Sequence, residues 1–79
     1  MSARVKVALG RVAIVTDAEV INNLITATID NEELNALYRA VALYDSPMLI
    51  SIDGDNYTRA EWVSTVADVD GGTIIIRRV

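Results

Sequence analysis

The chain has 79 residues, 52% of them hydrophobic, and a formal net charge of −4, which is enough apolar material for one compact domain spanning residues 1–79. It contains neither cysteine nor histidine. That excludes disulfides, thiolate catalysis and cysteine-based zinc sites, and it removes the commonest general base and transition-metal ligand.

From the N-terminus, residues 4–16 read as a hairpin. Val5, Val7 and Leu9 alternate with Lys6 and Ala8, and the phase changes at Gly10. A two-residue tip at Gly10-Arg11, with glycine at the first central position of a type II′ turn, explains the change; a single long strand bulged at Gly10 is the competitor. In that register Leu9 faces Val12, Val7 faces Ile14 and Val5 faces Thr16 on one side, and Lys6 faces Val15 and Arg4 faces Asp17 on the other.

Thr16-Asp17-Ala18-Glu19 matches a capping box, followed by Val20, Ile21, Leu24, Ile25 and Thr28 at helical spacing, so a first helix is expected there. The competing reading makes Asn22-Asn23 a turn and the β-branched run Ile25–Ile29 a strand. Asp30 and Glu33 form a second box, and Leu34, Leu37, Tyr38, Val41 and Tyr44 make an apolar stripe that ends at Asp45-Ser46-Pro47. Met48–Ile52 is a short buried strand.

The stretch Asp53-Gly54-Asp55-Asn56 resembles the start of a calcium loop. Counted from Asp53, however, Tyr57, Thr58 and Ser64 occupy the positions where such a loop needs an oxygen ligand, a glycine and a glutamate. A turn is the better reading, with Thr58 capping a third helix through Thr58-Arg59-Ala60-Glu61 and with Trp62, Val63 and Val66 facing inward. Gly71-Gly72 is a turn, and Ile74-Ile75-Ile76 opens a final buried strand. The expected fold class is α+β: a single layer of helices on a mixed or antiparallel sheet, in the order β-β-α-α-β-α-β.

No segment carries convincing chemistry. Asp68-Val69-Asp70-Gly71-Gly72-Thr73 superficially resembles the aspartate motif of phosphatases that pass through an aspartyl-phosphate, but it precedes a strand and lacks a supporting domain. Glu32 and Glu33 sit in a helix's first turn, where the macrodipole accounts for them. The single glycine at Gly10 is no phosphate loop. No catalytic residue, metal ligand or cofactor is therefore assigned, and the chain is read as a non-enzyme.

Charge layout carries the functional expectation. All eleven acids lie between Val12 and Ile76, with only Arg39 and Arg59 among them. Binding to nucleic-acid phosphates needs the opposite sign. The expected activity is occupancy of a protein partner with a basic surface, as in small acidic phage inhibitors of host defence or transcription machinery. The expected contact residues are Asp30, Glu32, Glu33, Asp53, Asp55, Tyr57, Asp68 and Asp70. As exposed turn carboxylates, Asp53 and Asp55 are expected to contribute little to folding.

Two alternatives remain. One is a homo-oligomeric assembly module, such as a homodimer, paired through an edge at Ile74, Ile76, Arg77 and Arg78. The other is a small-ligand sponge with its pocket between subunits. The N-terminus alternates basic and apolar residues instead of forming a signal peptide, and no run approaches a membrane span. A cytoplasmic location is expected, in the host cytoplasm if the protein is viral.

Overall fold

The computed structural model describes residues 1–79. It holds six strands and one helix: β1 (Ser2–Leu9), β2 (Val12–Ile21), β3 (Leu24–Asp30), α1 (Asn31–Leu43), β4 (Met48–Ile52), β5 (Thr58–Asp68) and β6 (Gly71–Arg78). All pairings are antiparallel, and the strands close into a barrel in the order β1-β2-β3-β6-β5-β4. The expected α+β layer of three helices is therefore corrected to a barrel with a single helix.

The first hairpin has the register that the alternation dictates, with Leu9 opposite Val12, Val7 opposite Ile14 and Val5 opposite Thr16. Gly10 has φ +60, and Arg11 has no positive φ, as a type II′ turn requires. A Cβ on Gly10 would lie 2.4 Å from the Tyr44 ring, so the tip also seats the residue that ends α1.

The expected first helix is instead the second half of β2, a turn and β3. Thr16, Ala18 and Val20 continue the inward face of β2, while Asp17, Glu19 and Ile21 continue its outward face. Asn22 takes the turn at φ 54, a left-handed conformation that asparagine tolerates. The box-like pair there is used otherwise. Glu19 receives the N-terminal ammonium of Met1 at 2.5 Å, and Asp17 takes Arg4 at 3.3 Å.

The expected third helix is β5. Its inward positions Ala60, Trp62 and Thr65 are spaced two and then three apart because the pairing with β6 shifts between Trp62 and Ser64. One inserted residue, Val63, turns a period of two into a spacing that imitates a helix. Glu61 does not cap anything; it pairs across the sheet with Arg77. Thr58 lies opposite Ile50, and its buried hydroxyl has no hydrogen-bond partner.

Helix α1 begins where its sequence says. Asp30 accepts from the Glu33 amide at 2.8 Å, and Glu33 returns to the Asp30 amide at 3.2 Å. Leu34, Leu37 and Ala40 are its buried residues, whereas Tyr38 and Val41 are exposed.

One core of eighteen buried apolar residues fills the barrel, with Val5, Val7, Ile25, Leu37, Ile50, Ile74 and Ile76 almost fully sealed. Each such aliphatic side chain contributes roughly 1.5–3 kcal/mol by leaving water. Side chains fill the interior, as expected for a barrel this narrow. Where β6 leaves its turn, Gly71 has φ +148, and a Cβ there would lie 2.1 Å from the Ile29 carbonyl oxygen. Only glycine lets β3, β5 and β6 converge at that point.

Candidate functional site: two unlike ends of the barrel

Antiparallel order sorts the loops into two ends. One end holds the Gly10-Arg11 tip, the β3–α1 junction, α1, the approach to β4 and the β5–β6 turn. The other holds both chain termini, the Asn22-Asn23 turn and the loop from Asp53 to Tyr57.

The candidate acids divide between these ends. Asp30, Glu32, Glu33, Asp68 and Asp70 gather at the helix end, where Asp30 and Asp68 both lie opposite Gly71 on β6. Asn31 ties the group together by donating to the Val69 carbonyl at 2.9 Å. Asp53, Asp55 and Tyr57 lie at the terminus end and are not part of the same surface.

The two groups are also used differently. Asp53 exchanges two bonds with the backbone of Arg4, accepting from its amide at 2.9 Å and donating to its carbonyl at 2.8 Å. This extends the β1–β4 ladder one step beyond its last residue pair. Asp55 accepts from the Ile52 amide at 2.8 Å, its backbone oxygen receives the Ser51 hydroxyl at 2.7 Å, and its second carboxylate oxygen lies 3.5 Å from Arg78. Ser51 is 5% exposed because this loop folds over it. The carboxylates expected to add little to folding are thus built into it.

All four ion pairs join residues toward the terminus end: Met1 with Glu19, Arg4 with Asp17, Arg77 with Glu61 and Arg78 with Asp55. At the helix end, Asp30 and Glu33 cap α1, and Asp68 accepts from the Asp70 amide at 2.9 Å. The carboxylates of Glu32, Asp45 and Asp70 take part in no ion pair or hydrogen bond. Six acids at that end face only Arg11 and Arg39, whereas five acids at the other end stand among Arg4, Lys6, Arg59, Arg77 and Arg78. The net negative charge of the molecule is therefore concentrated at the helix end.

The strand proposed as an oligomer edge is not an edge. β6 is hydrogen-bonded to β3 on one side and β5 on the other, and Ile74 and Ile76 point into the core. Arg77 holds Glu61, and Arg78 reaches Asp55. The sequence reading missed a different aromatic pair: Tyr38 stacks on Trp62 with ring centroids 5.2 Å apart. Their shared position is visible only once Thr58–Asp68 is read as strand.

No group of acidic side chains is arranged to hold a metal ion, and no helix is long and apolar enough to cross a membrane. The fold and its surface define a filled antiparallel barrel with a strongly polarised exterior. No protein-family model matches the chain, and no curated protein or solved structure does either.

Proposed function

We propose that the protein is a non-enzymatic binding module that occupies a macromolecular partner through a basic surface on that partner, in the manner of small acidic phage proteins directed at host machinery. The observation that supports this most is the unneutralised helix end. Its carboxylates are fixed in position by a capped helix and a tight turn, yet none is paired with a cation of the chain. Charges left exposed in a rigid frame contribute little to folding and a great deal to steering and matching a complementary surface. The lack of cysteine fits a reducing, cytoplasmic setting, and the acidic face opposes contact with nucleic-acid phosphates.

The test is capture of interacting proteins by the immobilised chain, run beside the double variant Glu32→Lys, Asp70→Lys. A captured partner that salt elutes and the reversed variant fails to hold is the expected result. A partner held equally by both would remove the helix end from the contact.

A further inference from the structure

The barrel closes through an incomplete seam. β4 pairs with β5 only at Thr58, Arg59 and Ala60, so from Glu61 to Asp68 β5 is bonded to β6 on one side and to no strand on the other. Exposed edges are normally blunted by lysine, proline, a bulge or a covering element, and here the one such device is the bulge at Val63. The open stretch, Glu-Trp-Val-Ser-Thr-Val-Ala-Asp, contains neither lysine nor proline.

One residue of α1 reaches this edge, Tyr38 stacking on Trp62, while Asn31 holds the Val69 carbonyl in the turn just beyond it. Trp62 is itself anchored, its indole N–H donating to the Thr65 hydroxyl at 2.7 Å and the Ser64 carbonyl at 3.2 Å. Val63 on the strand and Tyr38 and Val41 on the helix are 51%, 49% and 54% exposed. An exposed strand edge is the element to which proteins add extended peptides, the backbone supplying affinity and alternate side chains supplying selectivity.

We infer that the open edge of β5, Glu61–Asp68, with Tyr38 of α1 stacked against its Trp62, takes an extended basic segment of a partner protein as an added strand. This rests on the reading of the chain as a binder of basic partners and names the mode. Charge selects the occupant. Asp68 and Asp70 stand without a cationic partner at the turn end of the edge, so a segment alternating lysine or arginine with β-branched residues satisfies both the carboxylates and the apolar side chains of the edge. A second copy of this chain does not. Antiparallel self-pairing of Glu61–Asp68 sets Glu61 against Asp68 of the copy, and like charges directly opposite destabilise a ladder.

The experiment follows backbone amides by NMR, with a short capped peptide alternating lysine and valine as one ligand and a lysine homopeptide of equal charge as the other. The alternating peptide is expected to slow hydrogen exchange at those amides of Glu61–Asp68 that β6 leaves free by about tenfold or more and to shift Tyr38. Val63→Pro should abolish that protection. Val63 is the bulged residue, so the ladder to β6 should persist, reported by unchanged protection at Ile74 and Ile76. If that protection falls, Val63→Lys serves instead and should weaken the alternating peptide selectively. Shifts confined to Glu32, Asp68 and Asp70 with either peptide, and no edge protection, would overturn strand addition while leaving the acidic end as a binding surface. Binding of neither peptide would overturn both. Edge protection that rises with protein concentration and needs no peptide would overturn the inference in favour of a second copy.

Discussion

The two ends of the barrel carry similar numbers of carboxylates and use them in opposite ways. At the terminus end, Asp53 and Asp55 replace strand partners where β1 and β4 run out, and Asp17, Glu19 and Glu61 face cations across the sheet. At the helix end, Asp30 and Glu33 start α1 and Asp68 shapes a turn, but no cation of the chain answers any of them. An acidic residue in a loop is therefore not automatically part of an acidic surface. What decides is whether its oxygens already have backbone or cationic partners. Glu32, Asp45 and Asp70 are thus the free carboxylates, while Asp30, Glu33 and Asp68 carry a backbone bond but no cation.

Several substitutions sharpen or break this contrast. The largest effect belongs to the frame that holds the helix end. Gly71→Ala should destabilise by about 3 kcal/mol or more in a denaturant titration, since the new methyl meets the Ile29 carbonyl in a conformation that L-residues avoid. A loss below 1 kcal/mol would mean that β3 and β6 approach less closely than described.

Next comes the loop at the terminus end. Asp53→Asn combined with Asp55→Ala should cost about 2 kcal/mol, because the Ile52 amide loses its acceptor and the bond to the Arg4 amide weakens. An unchanged denaturation midpoint would return these residues to the exposed, non-structural class. Asp30→Ala removes the cap of α1 and should cost about 1 kcal/mol, with the helical circular-dichroism signal lowered at the same time.

Thr58 gives a smaller effect of opposite sign. Its buried hydroxyl has no partner, so Thr58→Val should leave stability unchanged or raise it by up to about 1 kcal/mol. A clear destabilisation would restore Thr58 as a working polar group. The smallest effect is expected from Glu32→Lys with Asp70→Lys, within about 0.5 kcal/mol of the parent, as for surface substitutions generally.

How far the sequence revealed this architecture depended on how local each signal was. The β1–β2 register followed from a glycine at a two-residue tip and strict alternation on both sides. α1 and β4 followed from a capping box, an apolar stripe and a proline. In β2 and β5 the local signals misled. Thr16–Glu19 and Thr58–Glu61 each have the spacing of a capping box, yet in both the acid reaches a cation far away in sequence: the N-terminal ammonium in one, Arg77 in the other. In β5 the bulge at Val63 completed the imitation of a helix.

Barrel closure had no local signal, because it depends on β1 meeting β4 and β3 meeting β6 across long stretches of chain. The candidate site suffered from the same blindness. The carboxylates were recognisable as residues, but their division into a structural group and an unpaired group depends on which loops share an end of the barrel.

The central claim is that this division separates folding from binding. The direct measurement is calorimetric binding of a lysine homopeptide, as a function of salt, to two double variants: Glu32→Lys with Asp70→Lys, and Asp53→Asn with Asp55→Ala. The account predicts that the first loses affinity and salt dependence while keeping its stability, and that the second binds as the parent does under conditions where it remains folded. Loss of binding in the second variant with retention in the first would contradict it.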